Sequence, residues 1–63
     1  MELPEKIKEL RRRKGWGKED LAREIGVSLS TVHRWESKEV NPTRLARREL
    51  SKLFKAAGIN ING

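Results

Sequence analysis

The sequence has no cysteine, one histidine (His33), one aspartate (Asp20) and three aromatic residues, Trp16, Trp35 and Phe54. Without cysteine there can be neither a disulfide framework nor a thiolate metal site. A lone histidine cannot assemble a metal centre by itself, and no nucleophile is paired with it, so neither a metal, nor a cofactor, nor an enzymatic reaction is expected. Gly15-Trp16-Gly17 is not a phosphate loop, because the further glycine and lysine that such a loop needs are missing. The scarcity of aromatics also disfavours a stacking platform for single-stranded nucleic acid, so Trp16 is assigned to packing. No apolar run reaches the roughly 18 residues of a membrane span. Met1 leads into charged sequence where a signal peptide would be apolar, so a soluble, unexported, cytoplasmic protein with no membrane partner is expected. Repeats, linkers and low-complexity segments are absent as well.

What the sequence does have is positive charge. Lysine and arginine number 15 against 9 aspartates and glutamates, a formal charge of +6 on 63 residues. That field favours nucleic acid or an anionic membrane surface as partner. The length allows one small domain, 1–63, burying roughly 60% of its unfolded surface, and leaves no room for a large small-molecule pocket.

The most informative stretch is Lys18 to Glu36, KEDLAREIGVSLSTVHRWE. Leu21, Ala22, Ile25, Val32 and Trp35 fall at helical spacings, and Gly26 interrupts them, which is the pattern of two short helices joined by a tight turn. Glycine reaches the left-handed conformation that ends the first of these helices, Val27 can pack back, and Ser28 can cap the second through the N–H of Ser30 or Thr31. Ala22 is small where the helices must cross.

Around this unit the chain reads as helices throughout. A first helix, with Leu3, Ile7, Leu10 and Lys14 on one face, starts at Pro4 and stops at Gly15. Its basic end, Arg11 to Lys14, is either a solvated terminus or a grip on phosphates, with Lys14 the candidate contact. Lys18, at the start of the second helix, is placed to share a phosphate with free backbone N–H groups. The third helix, Leu29 to about Ser37, puts Thr31, Val32 and Trp35 on one side and Leu29, Ser30, His33, Arg34 and Ser37 on the other when stepped at about 100° per residue. The second side suits a DNA major groove. Arg34 can donate two hydrogen bonds to guanine, Ser30 can bond to several base edges, Leu29 can cover a thymine methyl, and His33 can reach a base or a phosphate. Glu36 is a candidate partner for a nearby cation. After a polar connection and Pro42, a final helix from about Thr43 to Ala57 buries Ala46, Leu50, Leu53, Phe54 and Ala57, with Gly58 as its cap. Ile59 either folds back or begins a frayed tail, 59–63; the frayed end is the favoured expectation.

The segments IKELRRRKG, WGKEDLA and GVSLSTVHRWE resemble the Cro and cI repressor family of helix-turn-helix regulators, also called XRE-like. The resemblance implies an all-α fold, a compact, lambda repressor-like domain whose third helix enters the major groove, usually with two copies on a pseudo-palindromic operator; here one long helix ending at Gly58 replaces the family's usual two shorter C-terminal helices, which makes a four-helix version. Position by position it places Leu29, Ser30, His33 and Arg34 where such proteins touch bases. It places Lys18 and Ser28 where they touch phosphate or cap the reading helix, and Lys38 and Arg44 in the loop region that holds the DNA backbone. Three positions depart from the family pattern: Lys18 stands where glutamine is usual, Gly17 replaces a threonine or asparagine cap, and no glycine follows Ser37.

The expected function is therefore a sequence-specific, double-stranded DNA-binding transcriptional regulator, repressor-like, forming a homodimer on DNA and taking no small molecule. A protein-interaction module, antitoxin-like or co-regulatory, with only nonspecific DNA affinity, is the alternative from another class.

Overall fold

Four helices account for the architecture of the computed structural model, which describes residues 2–59: α1 (Leu3–Lys14), α2 (Lys18–Ile25), α3 (Leu29–Glu36) and α4 (Arg44–Ala56). Their bounds follow from local chemistry. Pro4 lies in the first turn of α1, where a missing N–H costs nothing, and Gly15 ends the helix in left-handed geometry. Gly17 has no side chain to cap α2, but Asp20 reaches back and accepts the Gly17 N–H at 2.8 Å, so the departure from the family pattern is compensated from inside the helix.

At Gly26 φ is +89°, a conformation costly for any residue with a Cβ, and the N–H groups of Gly26 and Val27 both donate to the Ala22 carbonyl at 2.8 and 2.9 Å. Ser28 caps α3 by accepting the Thr31 N–H at 3.2 Å, the second of the two partners its position allowed. Thr43 caps α4 in the same manner, accepting from Ala46 at 3.2 Å.

The core is one cluster in which Ile7, Leu10, Leu21, Ala22, Val32, Trp35, Ala46, Leu50, Phe54 and Ile59 are buried. Leu3, Trp16, Ile25, Val27, Leu53 and Ala57 close its margins, so Trp16 serves the junction between α1 and α2 as packing. α3 packs on α1 and α2, and α4 packs on the same two helices. α3 and α4 thus share α1 and α2 as their packing partners.

One expectation about the tail is corrected. Ile59 does not begin a frayed end: it is only 6% exposed, and its N–H donates to the Phe54 carbonyl at 2.8 Å. The turn depends on Gly58, at φ +76°, which lets the chain double back so that an apolar residue covers the end of α4. The remainder of the expected tail, 60–63, lies outside the described residues. No helix among the described residues is long and apolar enough to cross a membrane.

Candidate nucleic-acid interface

The outer face of α3 carries the four residues picked out as base readers. Ser30, His33 and Arg34 are exposed, and Leu29 is 49% exposed although it is a large apolar residue at the start of the helix. Val32 and Trp35 point the other way and hold the helix to the core, with Thr31 half-buried between the two sides. The Arg34 side chain forms no ion pair among the described residues, which leaves its five donors available to an outside acceptor. The Ser30 hydroxyl lies 3.1 Å from the Ser28 hydroxyl, so the cap and Ser30 share one small network with Thr31.

Lys18 and His33 are brought together. The lysine Nζ lies 2.9 Å from His33 Nδ1. An ammonium can only donate, so in this pairing Nδ1 is the acceptor. With Nδ1 occupied by the lysine, Nε2 is the ring nitrogen left to other partners. Lys8, Glu36 and Ser37 line the same small depression. Lys8 was not foreseen: it lies on α1, and only the packing of α1 against α3 places it beside His33.

Other members of the expected phosphate-contacting set lie apart from this pair. Lys14 sits over the Trp16 ring, 5.8 Å from its centroid. Lys38 follows α3 at φ +68°, in the left-handed region where the family pattern has glycine, and faces Glu2 at 3.7 Å. Arg44 opens α4 immediately after its Thr43 cap.

The basic run at the end of α1 is largely consumed inside the molecule. Arg11 forks onto the buried Glu36, with Nε to Oε2 at 2.7 Å and a terminal nitrogen to Oε1 at 2.9 Å. The carboxylate holds the Arg11 proton still more firmly than usual. Arg12 and Arg13 both donate to Glu9, and Arg13 also donates to the Ala57 carbonyl at 2.8 Å, satisfying the exposed end of α4. Together the two guanidiniums, Arg12 first, hold the Glu9 carboxyl down at about 2. A phosphate grip by the whole run is thereby replaced by an intramolecular role for its three arginines. Glu36, expected to partner a nearby cation, finds that cation in Arg11.

Every buried polar side-chain atom among the described residues has a hydrogen-bond partner. Unsatisfied hydrogen-bonding capacity among them therefore lies on the surface.

A family model described as helix-turn-helix matches residues 7–62, nearly the whole chain. Comparison with curated proteins and with solved structures returns no match.

Proposed function

The chain belongs to the XRE-like family of helix-turn-helix DNA-binding proteins, and from that premise we propose that it is a sequence-specific, repressor-like transcriptional regulator reading the major groove with α3. The observation that carries this reading is the exposed row Leu29, Ser30, His33 and Arg34 on a helix whose opposite side is locked into the core. Arg34 is assigned to a guanine, with its two hydrogen bonds supplying discrimination of about 1–3 kcal/mol against a wrong base. Leu29 is assigned to a thymine methyl, and Ser30 and His33 to neighbouring edges or phosphates.

Lys18, Ser28, Lys38, Arg44 and Lys14 are the proposed phosphate contacts, positioning the domain without conferring sequence preference. Lys18 and Ser28 are the best supported, since each lies at a helix start, where backbone N–H groups favour an anion. Lys14 is the least supported, given its seat over Trp16.

The Cα body of the described residues measures 25 × 22 × 19 Å. Successive major grooves on one face of DNA lie about 34 Å apart, beyond the reach of one such body. Two copies on a pseudo-palindromic operator would put one α3 into each groove.

Selection of bound duplexes from a randomised library at near-physiological salt tests the reading, with Arg34→Ala in parallel. The expected outcome is an enriched inverted repeat that the variant binds with relaxed preference at one base pair per half-site. Equal enrichment by parent and variant would remove α3 from the role of reader.

A further inference from the structure

Leu45 is the most exposed large apolar residue described, at 69%, and it stands on the second position of α4 between two depressions. On one side a cleft of about 350 Å³ is lined by Ile25, Val27, Leu45, Ala46 and Glu49. On the other a broader hollow is lined by Arg44, Arg47, Arg48 and Ser51, with Leu45 again at its edge. None of those three arginines forms an ion pair among the described residues, and Glu49, the single carboxylate at the cleft, is occupied by Lys52 at 3.3 Å. An apolar notch beside unspent guanidiniums has the make-up of a protein interface, where a desolvated apolar centre is edged by arginine.

We propose that this face of α4 binds an acidic amphipathic segment of a partner protein, seating an apolar anchor against Leu45, Ile25, Val27 and Ala46 while its carboxylates meet Arg47 and Arg48. Two other occupants fit less well. A second copy would bring Arg44, Arg47, Arg48, Lys52 and Lys55 against the same set, with one already paired carboxylate to offset them. DNA phosphate would satisfy the arginines and leave the cleft and Leu45 unfilled.

The test uses the whole chain and a synthetic glutamate-rich helical peptide of about 15 residues with leucines at i and i+4. A matched peptide carries serine in place of the leucines, and a random-sequence duplex serves as competitor. Binding is read by fluorescence anisotropy at physiological salt and mapped by amide chemical shifts.

The expected result is perturbation of Ile25, Val27, Leu45, Ala46 and Arg48 by the leucine peptide, with the serine peptide at least about tenfold weaker, as loss of a buried leucine implies. Leu45→Ser should lower leucine-peptide affinity about tenfold, and Arg48→Glu should do the same. Both positions are exposed, so helical circular dichroism should be retained in each variant. Equal binding of the two peptides, no binding of either, or perturbations confined to α3 would overturn the proposal. Displacement of the peptide by the duplex with shifts at Leu45 and Arg48 would make the face a nucleic-acid surface instead. Self-association in sedimentation that Leu45→Ser abolishes would assign it to a second copy.

Discussion

Arg11 and Glu36 meet as a two-pronged pair at 2.7 and 2.9 Å, joining the last turn of α1 to the C-terminal end of α3. The carboxylate is nearly enclosed, with 4% of its side chain exposed against 21% for the arginine. Arg11 also donates to the Trp16 carbonyl at 3.4 Å, so one side chain ties α3 to the α1–α2 junction.

Arg11→Met should therefore leave a buried carboxylate without its partner, destabilising the fold by about 2–4 kcal/mol. A domain of this size has only about 3–9 kcal/mol in total, so the variant is expected to be partly unfolded at room temperature. The double variant Arg11→Met with Glu36→Leu should recover most of the loss, because an apolar pair of similar volume avoids the desolvation cost. Urea denaturation followed by circular dichroism reads both. A single variant as stable as the parent would mean that water already solvates Glu36.

The helices and their caps were legible because they depend on neighbours in sequence. Ser28, Gly26 and the apolar spacing of α2 and α3 announce the helix-turn-helix unit, and Thr43 and Gly58 bracket α4 within a residue or two. The pairings across helices were not legible. Nothing in the run Arg11 to Arg13 says that one guanidinium will face a core carboxylate while the others share Glu9, since that depends on how α1 rotates against α3 and α4. Lys18 with His33, and Lys8 beside them, were hidden for the same reason. Ile59 was ambiguous because a single apolar residue after a glycine lacks the repetition that identifies a buried face.

Glu9 gives a dependence on pH. Its folded carboxyl titrates at about 2, well below its ordinary 4.5, because Arg12 and Arg13 donate to it. A depressed folded value means that the ionised group stabilises the native state above pH 4.5, and that this contribution fades as pH falls from about 4.5 to about 2. Melting temperatures of the parent and Glu9→Gln should differ most above pH 5, converge toward pH 2 and differ less in high salt. A difference independent of pH would deny the two arginines their role.

Lys38 holds φ +68° without being glycine. Such a conformation costs roughly 1 kcal/mol for a residue with a Cβ, so Lys38→Gly should stabilise the fold by about 0.5–1 kcal/mol. The same change removes a proposed phosphate contact and should weaken DNA binding. Stability and affinity are thus expected to move in opposite directions, measured by thermal melting and by anisotropy on a selected duplex. Unchanged affinity would strike Lys38 from the interface.

For Lys18 two readouts separate its possible roles. Lys18→Met should free His33 from its fixed tautomer, visible in the ring nitrogen shifts, since Nδ1 no longer accepts from an ammonium. If the ammonium also meets phosphate, affinity should fall alike on selected and random duplexes, and the slope of log affinity against log salt should shrink by about 1. An unchanged slope with altered tautomer would make Lys18 a positioning residue for His33 alone.

α3 is moored at three points: by the Ser28 cap at its start, by Lys18 on His33 midway and by Arg11 on Glu36 at its end. A helix of only eight residues would be mostly unwound in isolation. Here its ordering is completed during folding. On the proposed reading, the entropy given up on meeting DNA would fall mainly on a few side-chain rotors, Arg34 foremost, and the backbone would enter the groove already set.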